Sequence, residues 1–96
     1  MKHLPCLERD GFYESHKLWF PRGFFERALG WFIKPEHFQG VYLERCKAVH
    51  SFGMSQTIQL LWVDASGRLL RPPTILKPWR IAFCREAYGV IELIPE

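Results

Sequence analysis

The chain has 96 residues, 48% of them apolar and 24% charged, and thirteen Lys and Arg against ten Asp and Glu give a net charge of +3. That length holds one small domain and excludes a TIM barrel, which needs about 250 residues, and a two-half dinucleotide-binding fold. The composition excludes a disordered chain, and so mild a positive charge does not by itself call for a nucleic-acid partner.

Residues 1–15 are mixed and aperiodic and read as a tail, with a single domain over 16–96. His16 to Phe20 is rich in β-formers and reads as a first strand, stopped by Pro21. A short helix is expected near residues 22–29. Phe25, Ala28 and Leu29 make one apolar face there, and Gly30 supplies a left-handed stop. Lys34 to His37 is a loop or single turn, and Val41-Tyr42-Leu43 after Gly40 is a short strand. Ala48 to Ser55 has no clean period. Ile58 to Val63 is largely apolar on both faces and reads as a central strand. Asp64-Ala65-Ser66-Gly67 reads as a hairpin loop, with Arg68 to Arg71 as the return strand and Pro72-Pro73 ending it. Ile81-Ala82-Phe83 forms a brief strand. Tyr88 to Ile94 forms the last one, with Ile91 and Leu93 facing inward. The expected fold is mainly β: a small antiparallel sandwich or partly open barrel with one short helix.

Cys6, Cys46 and Cys84 are odd in number and widely spaced, which fits a reduced, cytosolic-type protein rather than a disulfide framework. The N-terminus has no apolar run of signal-peptide length, so a cytoplasmic location is expected. No stretch approaches the ~18 apolar residues of a membrane-spanning helix.

Four stretches, in order, resemble a known family. They are Glu26-Arg27-Ala28-Leu29-Gly30-Trp31; Gly40-Val41-Tyr42-Leu43; Val49-His50-Ser51-Phe52-Gly53-Met54 with the strand ending Trp62-Val63-Asp64-Ala65-Ser66-Gly67-Arg68; and Leu76-Lys77-Pro78-Trp79-Arg80 with Cys84 and Val90-Ile91-Glu92-Leu93. Together they are similar to the bacterial and archaeal proteins called domain of unknown function 192. The resemblance implies a compact β-rich fold with one short helix, and it implies no particular activity. It also implies export for many members. Where that family carries an acid entering the central strand, this chain has Thr57-Ile58-Gln59, an amide in place of the carboxylate.

Candidate chemistry falls in a few places. Cys46, His50 and Cys84 could together ligate a metal or form a thiol–imidazole pair, but zinc needs three or four ligands and a fourth is not evident. The bland reading of these residues is a buried cysteine and a loop-fixing histidine. In Lys77-Pro78-Trp79-Arg80 an indole between two cations can stack on a ligand. Equally, Trp79 can plug the end of the core while Lys77 and Arg80 reach water, and its bulk favours that. From Ala65 to Arg85 there are five cations (Arg68, Arg71, Lys77, Arg80, Arg85) and no acid; this is a solvated face or an anion site. Phe24, Phe25, Trp31 and Phe32, and Met54 beside Phe52, read as core. No phosphate-cradling glycine loop, GxSxG, HExxH or paired-carboxylate site is present.

The sequence therefore points to a non-enzymatic binding or accessory module without a cofactor. It would use His50, Ser51, Lys77, Trp79 and Arg80 to hold a protein or a small polar ligand, with nucleic acid unfavoured. The alternatives are a metal- or thiol-dependent enzyme built on Cys46, His50 and Cys84, and a structural partner in a larger assembly.

Overall fold

The computed structural model describes residues 12–13, 16–21, 34 and 36–93. These carry eight strands: β1 (Phe12–Tyr13), β2 (His16–Trp19), β3 (Gly40–Glu44), β4 (Ala48–His50), β5 (Ile58–Val63), β6 (Thr74–Leu76), β7 (Ile81–Phe83) and β8 (Gly89–Leu93). Six form one sheet in the order β1-β2-β3-β8-β5-β6, and β4 and β7 form a separate two-stranded ribbon. The protein is mainly β, as its alternating and doubly apolar segments predict. The helix expected at 22–29 lies outside the described residues, as do Phe24, Phe25, Trp31, Phe32 and Cys6. Among the described residues, no helix is long and apolar enough to cross a membrane.

The core follows from strand alternation. Registers Val41↔Glu92↔Leu60 and Leu43↔Val90↔Trp62 put those side chains on one face of the large sheet. That face packs with Val49, Met54, Leu76, Cys84 and Ala87, and so with the inner side of the ribbon. The opposite face buries Leu18, Tyr42, Leu61, Val63, Ile91 and Leu93. Both faces of β5 and β8 are therefore covered, which is why Ile58 to Val63 is apolar except at the part-exposed Gln59. Gly40 sits where β2, β3 and β8 crowd together. A Cβ there would run into Leu93 and come within 2.7 Å of the Glu92 carbonyl and 2.9 Å of Leu18.

Four local expectations are corrected. The sheet is not wholly antiparallel, since β2 runs parallel to β3. The connection over residues 20–39 is long enough for the crossover that a parallel pair requires. Phe12 and Tyr13, inside the expected tail, pair with β2. Arg68–Arg71 returns along β5 only beside the turn, where the Leu70 N–H donates to the Trp62 carbonyl at 2.8 Å. Leu69 makes one bridge to Val63, and the ladder resumes at Thr74–Leu76. Pro72 and Pro73 have no N–H to donate, so the ladder cannot run through them. The turn itself forms as expected. The Asp64 carboxylate accepts the Ser66 and Arg68 N–H groups at 2.8 and 3.0 Å, and Gly67 takes φ 83°. Finally, Ala48–His50 is a strand despite its lack of period. Three residues are too few to show one, and only Val49 points inward.

Candidate functional site

The two irregular stretches singled out in the sequence meet at one end of the ribbon, and Ser51 joins them. Its hydroxyl donates to the Lys77 carbonyl at 2.6 Å and accepts the Arg80 N–H at 3.0 Å. Its own N–H donates to the Arg80 carbonyl at 2.9 Å, and its carbonyl accepts the Trp79 N–H at 3.0 Å and the Met54 N–H at 3.1 Å. Ser51 is fully buried. A serine with every polar group engaged inside the protein has none left over; it ties the two loops together.

Outside this joint the side chains are exposed and largely aromatic. The His50 ring stacks on Phe52 with centroids 5.0 Å apart, and Phe52 stacks on Trp79 at 6.1 Å. His50 Nδ1 accepts the Phe52 N–H at 3.1 Å, which locks the imidazole in this stack and leaves the proton of the neutral ring on Nε2. Trp79 is 63% exposed and takes φ 63°, a left-handed conformation that is unfavourable for a bulky residue. It does not plug the core. Its backbone is held by the N–H bond to Ser51 and by the turn at Pro78, so the indole is presented outward. Lys77 and Arg80 flank it, both exposed.

The row continues along the ribbon. His50 pairs with Ile81 and Ala48 with Phe83, so these residues share the outward side, while Val49 and Ala82 face the core. Ile81 is 62% exposed and Phe83 66%. Sequence reading missed both, because Ile-Ala-Phe-Cys is apolar at every position and shows no inward or outward preference. The neighbouring strand carries the usable signal: Val49 between Ala48 and His50 marks one inward side, and Phe83 and Ile81 fall opposite it.

The cysteine alternative finds a different geometry. Cys84 is buried on the inward side of the ribbon, its thiol 3.7 Å from Glu86 Oε1. Cys46 donates to the Ala48 carbonyl at 3.1 Å. His50 lies on the outward side, in the ring stack. Cys84 and His50 are thus separated by the thickness of the strand pair, and among the described residues no three His, Cys, Asp or Glu are grouped to hold a metal. Gln59 lies on the other face of the large sheet, beside Leu93 and Ile75. The five cations do not form one field either. Arg71 donates to the Phe83 carbonyl at 3.0 Å and lies over the Trp62 ring, Arg68 belongs to the Asp64 turn, and only Lys77 and Arg80 flank the stack.

Two buried ionisable groups stand apart from this surface. Glu92 occupies the face between large sheet and ribbon, in line with Val41 and Leu60, and burial pushes its carboxyl up to about 7. Sequence reading turned Ile91 and Leu93 inward; the opposite face, which carries Glu92, is buried too. Tyr42 is pushed up to about 12, first by burial and then by the negative charge of Glu44.

Compared with models of protein families, with curated proteins and with solved structures, the chain matches none. The family resemblance given above therefore rests on its four motifs alone.

Proposed function

We propose that this protein is a non-enzymatic binding module whose ligand, a protein or a small polar molecule, is held at the end of the ribbon by Trp79, Phe52 and His50, with Lys77 and Arg80 supplying charge. The observation that carries this reading is Trp79. A large indole is kept in an unfavourable backbone conformation, mostly in water, stacked on a second exposed ring. Strain of that kind persists where the surrounding structure holds it, and it clusters at ligand clamps. Ser51 provides the hold. The two stretches that Ser51 joins, Val49–Met54 and Leu76–Arg80, are also two of those that carry the resemblance to the domain of unknown function 192 proteins, which supports treating them as one unit.

The test is an amide NMR screen of the reduced protein against indole, nucleosides, hexoses and short peptides, repeated on Trp79→Ala. Perturbations gathered on residues 50–53 and 77–81, and lost in the variant, are expected. Robust turnover of a substrate panel that vanished in His50→Ala would overturn the reading in favour of an enzyme.

A further inference from the structure

The outward side of the ribbon extends well beyond the ring stack. Phe83, Ile81, His50, Phe52 and Trp79 follow one another through the pairings and ring contacts described above. Phe52 is 45% exposed, and with the other exposures this makes a continuous apolar surface on the order of 400 Å². A patch of that size matches the largest on a typical monomer, and such patches are often functional. From Trp79 to Phe83 the strip is at most about 14 Å long, the length of four or five residues of an extended chain.

Cations stand at both ends of the strip. Lys77 and Arg80 flank Trp79, and the Arg71 guanidinium is tied to the Phe83 carbonyl. Between Ala65 and Arg85 the chain itself carries no acid. Two copies of the protein meeting through this face would bring like charges together, which opposes self-association. The aliphatic centre at Ile81 offers no ring for a nucleobase to stack on, and three cations are few for a phosphate chain.

We propose that this face receives an acidic, extended segment of a partner protein, whose apolar side chains lie along Trp79, Ile81 and Phe83 and whose carboxylates meet Lys77, Arg80 and Arg71. This rests on the binding-module reading and names the class of its partner.

The experiment is selection of random peptides displayed on phage against the full chain, followed by affinity measurement of synthetic winners at low and high salt. A Lys77→Glu/Arg80→Glu double variant is tested in parallel, with its fold checked by amide dispersion. Winners should be rich in Asp and Glu with apolar residues between them, should perturb residues 48–53 and 77–83, and should bind about tenfold more weakly to the double variant and at high salt. The double variant should in turn select peptides rich in Lys and Arg. Winners at this face with no excess of acid overturn the acidic partner while leaving the binding module standing. Winners that bind elsewhere, or no enrichment at all together with no hit in the NMR screen, overturn both. An oligothymidylate that binds this face more tightly than any selected peptide overturns the protein partner in favour of nucleic acid.

Discussion

Replacing Glu92 by Gln should raise the stability of the fold above neutral pH and leave it little changed in mild acid. Glu92 lies in the cross-strand row with Val41 and Leu60, on the face of the large sheet that carries the main core, and is 5% exposed. Burial lifts its carboxyl from an ordinary 4.5 to about 7. Below 4.5 both the folded and the unfolded chain hold the proton, and the charge costs nothing. Between 4.5 and about 7 the unfolded chain gives the proton up while the folded chain keeps it, so stability falls as pH rises. Above about 7 the whole penalty is present. At about 1.4 kcal/mol for each unit of pKa difference, the penalty is about 3 kcal/mol, a large share of the ~5–15 kcal/mol that holds a small domain together. The amide of Gln keeps the shape and does not titrate. Urea unfolding of both proteins from pH 4.5 to 8.5 isolates the term, because every other group titrates alike in the two. The gap in unfolding free energy between variant and wild type should widen by about 3 kcal/mol across that range. A gap that stays constant with pH would refute the placement of the carboxyl inside the protein.

Four further outcomes follow from particular contacts. Ser51→Ala should destabilise the protein by about 1–2 kcal/mol, because the part-buried Arg80 N–H and Lys77 carbonyl both lose their hydroxyl partner. It should also speed amide exchange at Trp79 and Arg80; a loss under 0.5 kcal/mol with unchanged exchange would remove Ser51 as the joint. Gly40→Ala should cost about 1–3 kcal/mol, since the new methyl meets the backbone carbonyl of Glu92 and can be relieved only by spreading β3 from β8; unchanged urea midpoints would contradict that packing. Trp79→Gly should leave stability unchanged or raise it by about 1 kcal/mol by relieving the left-handed backbone, while binding at the ribbon is lost; a large destabilisation would mean that the indole packs as core. One equivalent of zinc added to the reduced protein should not shift His50 and Cys84 resonances together, because the two side chains lie on opposite sides of the ribbon; a joint shift would revive the metal reading.

The sequence made the interior strands legible because their composition is dictated by burial on two sides. Ile58 to Val63 and Val90 to Leu93 are covered on both faces, and apolar residues fill them except at the part-exposed Gln59 and the buried Glu92. Tertiary covering decides Glu92, and covering cannot be read from a local pattern. The ribbon was the hardest element for a related reason. Three-residue strands show no periodicity, and in Ile81-Ala82-Phe83 both sides are apolar although only one is inside. The site residues His50, Ser51, Lys77, Trp79 and Arg80 could be named because Pro, Trp and paired cations are conspicuous in irregular chain. That Ser51 would be the joint, and Trp79 the exposed ring, depended on hydrogen bonds between stretches more than twenty residues apart.

The demands of folding account for one side of the ribbon and not for the other. Val49, Ala82 and Cys84 close the core, and smaller or polar residues there would leave cavities or buried unpaired groups. On the outward side the core asks for nothing. Thr, Lys or Glu at positions 52, 79, 81 and 83 would serve the strands as well and would keep apolar surface out of water. The large sheet has no comparable freedom on its interior strands, since both of their faces are buried. Among the described residues, Trp79, Ile81 and Phe83 are therefore the large apolar side chains least explained by the stability of this fold, and with Phe52 they adjoin the place where two loops are locked together by a buried serine. Rigid loops presenting apolar surface between cations are a costly arrangement for a protein that binds nothing. That mismatch, more than any one contact, directs the search for function to the ribbon's outer face.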